Sequence, residues 1–216
     1  MRAHRPGWEE PHVPRQVDYE ERRRRIGEAV VALIARAGME AVSLRDVAAE
    51  ADVSMGAVQR CFRTKEEMLL FALQDISAQV TERADERIAA DEAPRAAGTL
   101  LAHTLAEMAL VDAESAARAR VWLAFVAHAP TSERLSAVLH ETYARLHELI
   151  AWLIGYGQRT GEIAGDVDAD REARELVALA DGLTVRAVAG HGEPEEALAM
   201  LRERVERLLV GGCGPQ

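Results

Sequence analysis

The sequence predicts an all-α protein of about nine helices, a small head followed by a larger body, on three observations. Alanine and leucine abound while only 9 of 216 residues are aromatic, a balance that favours helices over strands. Apolar residues recur at three- and four-residue spacing along most of the chain, the period of an amphipathic helix. No segment alternates apolar and polar residues with β-branched enrichment, so no strand is signalled.

Each element can be justified in order. Residues 1–18 hold Pro6, Pro11 and Pro14 without periodicity and are expected to form a flexible N-terminal arm. From Tyr19 the pattern turns helical, with Ile26, Val30, Leu33, Ile34 and Ala37 on one face and Gly38 as the stop. Ser43-Leu44-Arg45-Asp46 reads as a capping box opening a short helix, which breaks at Asp52, a residue that tolerates a left-handed backbone. Ser54 then caps a very short helix over Met55–Cys61. Thr64-Lys65-Glu66-Glu67 is a second capping box and starts a long helix towards Ala90. In the body, Pro94 suits the first turn of a helix running to about Val111. Further helices are expected from about Glu114 to His128, Thr131 to Gln158, Asp168 to Ala189 and Pro194 to Val210.

Composition excludes several function classes. No run of 18 apolar residues exists, so no helix is expected to cross a membrane and no membrane partner is implied. The segment MRAHRPGWEEPHVPR lacks an apolar stretch of the secretory kind, and a cytoplasmic protein is the expectation. Cys61 and Cys213 have no CxxC or Cys/His spacing, so neither a disulfide framework nor a metal is expected, and no cofactor is called for. An enzyme finds no residues to stand on. His140 and His147 lie about 10.5 Å apart along a helix, too far to share one metal, and no GxSxG, HExxH or Gly-rich phosphate loop is present.

Charge is polarised along the chain. The total is −10, which by itself argues against nucleic acid. Residues 1–65, however, carry 12 basic and 10 acidic groups, net +2, and residues 66–216 carry 14 and 26, net −12. Of the 26 basic residues 25 are arginine, and the one lysine, Lys65, stands where head meets body. Within the head, helix, three-residue turn and very short helix is the geometry that lays one exposed helix in a DNA major groove. Ala48 is small enough for the helix crossing. Val53, Val58 and Phe62 are expected to face inward, and Met55, Gly56, Ala57, Gln59 and Arg60 outward. No carboxylate occurs in the thirteen residues from Val53 to Lys65, as a helix facing phosphates requires.

The run Arg24-Ile26, Gly38, Ser43-Leu44-Arg45-Asp46-Val47-Ala48, Val53-Ser54-Met55-Gly56-Ala57-Val58 and Phe62-Arg63-Thr64-Lys65-Glu66-Glu67-Met68-Leu69 resembles the DNA-binding domain of TetR-family transcriptional regulators. The likeness spans about residues 20–72. It implies a homodimer that binds a palindromic double-stranded DNA operator and is released by a small-molecule effector, with residues 19–66 as the helix-turn-helix DNA-binding domain and 67–216 as a helical ligand-binding and dimerisation domain. Carried over by position, Arg45 would reach a phosphate or guanine edge, Gly56 would let the backbone approach, Gln59 would pair with adenine, and Arg60 with guanine or phosphate. Ser43 and Lys65 would hold phosphates. The sequence departs from the family's usual Tyr at Gln59 and its His or Tyr at Cys61, a poor donor. Arg22 to Arg25 either track the DNA backbone or form a solvated helix start offset by Glu20 and Glu21.

For the body, Leu176 and Leu183 followed by Leu198, Leu201, Val205 and Leu208 form a coiled-coil-like seam. The seam packs either inside one chain or against a symmetry mate, and the resemblance favours the mate, making these the expected dimer-interface residues. His103, Glu107, Trp122, Phe125 and Trp152 are the candidate ligand residues, since aromatic and ionisable groups inside a bundle suit a planar or cationic molecule. Ordinary core packing is their alternative use. The long helix from Lys65 is expected to end against the helices carrying Trp122 and Phe125 and so to relay a shift to the head. Two other readings stay open: a DNA-binding regulator answering to a protein partner, and a ligand-binding protein whose head no longer reads DNA.

Overall fold

The first helix begins four residues earlier than its periodicity suggests. In the computed structural model, which describes residues 15–210, α1 runs Arg15–Ala37, so residues 15–18 of the expected arm are helical; its residues 1–14, and Cys213, lie outside the described residues. Gly38 ends α1 at φ 79° and ψ 171°, a positive-φ conformation that glycine alone adopts readily, and a single 3-10 turn, Met39–Ala41, leads to α2 (Leu44–Glu50) and α3 (Met55–Cys61). Then come α4 (Lys65–Ala90), α5 (Ala97–Met108), α6 (Ala116–His128), α7 (Glu133–Thr160), α8 (Ala169–Val188) and α9 (Pro194–Glu206). Among the described residues these nine helices and no strand make up the fold, as the periodicity predicts.

Local chemistry sets most boundaries. The side chains of Ser43, Ser54, Thr64, Ser132 and Asp168 each accept a backbone N–H three residues on and start α2, α3, α4, α7 and α8. The start of α5 departs from expectation. Pro94 is not in its first turn; residues 91–96 form turns in which the Asp91 carboxylate accepts the Ala93 N–H. The helix begins at Ala97, whose N–H donates to the carboxylate of Glu162 at 2.8 Å. A residue 65 positions away in the chain therefore caps it.

Two apolar cores organise the molecule. The first joins α1, α2, α3 and the first half of α4 to Val121, Trp122 and Phe125 of α6 and to Leu135 and Leu139 of α7. The head therefore shares its core with α6, which packs along α1. The second core is built by α5, the later part of α7, α8 and α9. Here Gly157 lets α7 come close to α5: a Cβ at this position would stand 2.9 Å from that of Ala97 and 2.7 Å from Ile163.

Candidate nucleic-acid interface and effector cavity

The α2–turn–α3 unit is fastened from both sides. Asp52 takes φ 51° in the turn, as its short polar side chain permits, and the Val53 N–H returns to the Ala48 carbonyl at 3.0 Å. Ala48, Val58 and Phe62 are buried, Val53 is half-buried, and the guanidinium of Arg25 on α1 donates to the Ala51 carbonyl at 2.8 Å. Arg23 lies over the rings of Phe62 and Phe71, 5.0 and 4.6 Å from their centres, and Arg24 pairs with Glu28 at 2.8 Å. Arg23 and Arg25 thus serve the architecture of the head, a role not apparent from their spacing, whereas Arg24 makes only an exposed pair one turn along its own helix.

The residues expected to face DNA are mostly exposed. Arg45, Met55, Gln59 and Arg60 are exposed, Met55 with half its surface free. Gly56 is half-buried, and Ser43, also exposed, both caps α2 and donates to the Asp46 carboxylate. Lys65, exposed at the first turn of α4, donates one of its three ammonium protons to the Met39 carbonyl at 3.0 Å, which braces α4 against the turn behind α2 and leaves two donors free of that bond. Ala57 requires a correction. It was expected to face outward, yet its side chain is buried and its N–H is taken by Ser54, because it falls on the same side of α3 as Val58 and Cys61. Cys61 is itself buried, and burial pushes its thiol up.

The body holds a cavity of about 530 Å³, walled by one face of α4 between Leu73 and Thr81, Met108 at the end of α5 and Leu110 just beyond it, Trp122 of α6, one face of α7 between Val138 and Leu149, and Asp181 of α8. Only Trp122 among the five candidate ligand residues lines it. Phe125 is fully buried in the first core. Trp152 is 57% exposed and stacks on Tyr156 at 5.9 Å between ring centres. His103 pairs with Asp91 at 3.0 Å beside a second, outer depression between α5 and α9 that is ringed by charges of both signs. Glu107 is buried and held by Arg83 at 3.0 Å and Arg87 at 2.6 Å. The i,i+4 spacing of His103 and Glu107 placed both on α5 without revealing that charged residues elsewhere had already claimed them.

Asp181 in the cavity wall, and Tyr143 packed against it and Trp122, are the groups that sequence reasoning missed. The Tyr143 hydroxyl and the Trp122 indole N–H face the Asp181 carboxylate as donors, and Tyr143 meets Trp122 edge-on at 5.7 Å. Burial nonetheless dominates and pushes the Asp181 carboxyl above the ordinary carboxylate range. Burial, followed by the neighbouring Asp181 charge, likewise raises the Tyr143 phenol. A signal was present: Asp181 stands four residues after Val177 in the otherwise apolar run Leu176–Leu183, an acid on the margin of a core stripe.

The expected dimer seam also requires correction. Leu176, Leu183, Leu201, Val205 and Leu208 are buried, and Leu198 is half-buried, all within the second core of their own chain. Facing solvent on α8 are instead Ala178, Gly182, Val185 and Val188, with Met200 on α9 and Leu149 and Trp152 on α7. The long helix differs from expectation at its far end too. There it is tied by Arg83 and Arg87 to Glu107 of α5, with Glu114 3.0 Å from Arg83, rather than abutting the helices of Trp122 and Phe125.

Residues 97–210 match the family of BetI-type transcriptional repressor C-terminal domains, and residues 26–72 match the bacterial regulatory proteins of the tetR family. The chain belongs to the TetR family. It is 30% identical over 199 residues to the HTH-type transcriptional regulator PksA of Bacillus subtilis, covering 92% of this chain and 91% of that one. The nicotine-responsive repressor HdnoR of Paenarthrobacter nicotinovorans is 26% identical over 179 residues, 81% and 87% of the two chains. A transcriptional regulator from Saccharomonospora viridis, solved in complex with choline, superposes with a TM-score of 0.77 at 26% identity over 88% of this chain and 98% of that one. This TetR-family chain is therefore a helix-turn-helix transcriptional regulator, built on an all-α fold shared with solved members. Among its described residues no helix is long and apolar enough to cross a membrane.

Proposed function

We propose that this TetR-family regulator is a homodimeric repressor that grips a palindromic operator through Arg45, Met55, Gln59, Arg60, Ser43 and Lys65, and lets go when a small molecule fills the cavity behind α4. One observation carries the reading. The middle of α4, Leu73 to Thr81, walls the cavity, while its first turn is braced to the head through Lys65 and its far end is tied to α5 through Arg83 and Arg87. A ligand that displaces the middle of a helix restrained at one end moves the other. The names of two similar proteins, one nicotine-responsive and one holding choline, support a small-molecule effector. The dimer is assigned to the solvent-facing strip of α8, where small Ala178 and Gly182 permit close helix approach and Val185 and Val188 supply apolar area.

Selection of bound duplexes from a random pool tests the DNA half of this reading. The expected result is an inverted repeat with half-sites one helical turn apart, about 34–36 Å, or near multiples of it. A single non-repeated site would overturn the dimeric reading. Compounds that quench Trp122 fluorescence are then titrated against the selected duplex. An effector lowers operator affinity, and by linkage the operator lowers effector affinity by the same factor. If compounds that fill the cavity leave operator affinity unchanged, control through a protein partner replaces release by a ligand.

A further inference from the structure

We infer that the cavity behind α4 is built for an amphiphilic organic cation, its ammonium group set between Asp181 and the ring of Trp122 and its apolar body lying along α4 and α7. The inference rests on the reading of this cavity as the effector site and names the chemistry of its ligand.

The charge balance of the walls points to a cation. Three charged side chains line the cavity: Glu141, Arg145 and Asp181. Glu141 and Arg145 pair with each other at 3.3 Å near the solvent-facing side of α7, so the net charge left in the wall is that of Asp181. The groups acting on Asp181 are two neutral donors and, more weakly, His147, with no arginine or lysine among them. A carboxylate in a desolvated wall is costly unless a positive charge joins it, and the indole of Trp122 beside it adds the attraction of an aromatic face for a cation. Tyr143, standing against both, fixes the carboxylate and the indole in place.

The remaining polar groups ask for nothing from a ligand. The hydroxyls of Ser77, Thr81 and Thr142 each donate to a carbonyl four residues back on their own helix. That leaves Gln74 as the one other uncharged polar side chain in the wall outside the Trp122 indole. Around these stand Leu73, Ile76, Val80, Leu110, Val138 and Leu146. A volume of about 530 Å³ falls in the range of drug-sized pockets and far exceeds a cation as small as choline. The ligand must therefore carry a bulky apolar body as well as its charge.

The test uses the full-length protein, isothermal titration calorimetry and three probes: benzyldimethyloctylammonium, choline, and N-benzyl-N-octylacetamide as a neutral molecule of similar size. The expected order is the large cation tightest, with the neutral amide and choline each weaker by at least tenfold. In Asp181→Asn the large cation loses at least tenfold in affinity while the neutral amide is held as before, which also shows that the variant is folded. Equal affinity for cation and amide, loss of neither in Asp181→Asn, or no binding of the large cation would each overturn the inference. The effector reading fails separately: a large cation that binds with the expected pattern yet leaves operator affinity unchanged marks a cation site that is not coupled to DNA.

Discussion

Arg83 of α4 donates to the buried carboxylate of Glu107 on α5 at 3.0 Å. Glu107 is only 1% exposed, and Arg87, one turn further along α4, meets the same carboxylate from a second direction. Two guanidinium groups on consecutive turns of one helix thus converge on one acid of the next. The pairing restrains α4 beyond the cavity, so that under the proposed effector release the head end is the part that moves.

Glu107→Ala should therefore act at two levels. Removing one partner from a buried ion pair leaves the others uncompensated, and because both arginines are partly exposed the expected loss is about 2–3 kcal/mol, below the full range for buried pairs. Urea denaturation measures it. The same variant should reduce the factor by which an effector weakens operator binding, since a helix no longer held at its far end absorbs the displacement. An unchanged coupling factor in a measurably destabilised variant would show that the clamp is structural alone.

The DNA-facing residues should separate by role. Lys65→Ala should weaken all sequences alike and shrink the salt dependence by ~1 per half-site, as loss of a phosphate contact does. Gln59→Ala should relax preference at one base pair, costing about 1–3 kcal/mol there. Binding titrations over a salt series and a set of single-base operator variants distinguish the two. Ala57→Ser, on the buried side of α3, should leave base preference intact and lower the thermal midpoint instead.

Dimer formation should respond to the outer strip of α8 and not to its inner seam. Val185→Glu, at a position half exposed in the single chain, should give folded monomers in sedimentation that hold the operator far more weakly. Leu201→Glu puts a charge into the second core and should unfold the body, read as loss of the cooperative melt. A Val185→Glu protein that keeps the mass of a dimer would move the interface elsewhere.

Asp181 should trade stability for recognition. Burial raises its carboxyl in the folded state, so the folded protein binds that proton more tightly than the unfolded chain does. The cost of the charge is full above the folded value, shrinks as pH falls below it and is gone below the value of the unfolded chain. Asp181→Asn should raise stability at neutral pH by roughly 1 kcal/mol, ~2–4 °C for a chain of this size. The gain over the parent should shrink in acid. Melting curves at both pH values check the sign.

What the sequence determined by itself lies mostly within single elements. The caps Ser43, Ser54 and Thr64, the turn at Asp52 and the limits of α3 and α4 were all legible, because a cap is a bond between residues three apart and a turn angle belongs to one residue. The absence of acid from Val53 to Lys65 is legible in the same local way, and the phosphate-facing role proposed for this surface rests on it. Tertiary structure decided whatever depends on which partner a side chain finds. Glu107 and His103 share a helix face, but only packing brought Arg83, Arg87 and Asp91 to claim them. The leucines of α8 and α9 carry an apolar seam whose spacing is the same whether its partner is a neighbouring helix or a second chain, and here the neighbour takes it. Asp181 gained its meaning only when α6 and α7 set Trp122 and Tyr143 against it, since burial and charge are properties of a neighbourhood and not of a position in the chain.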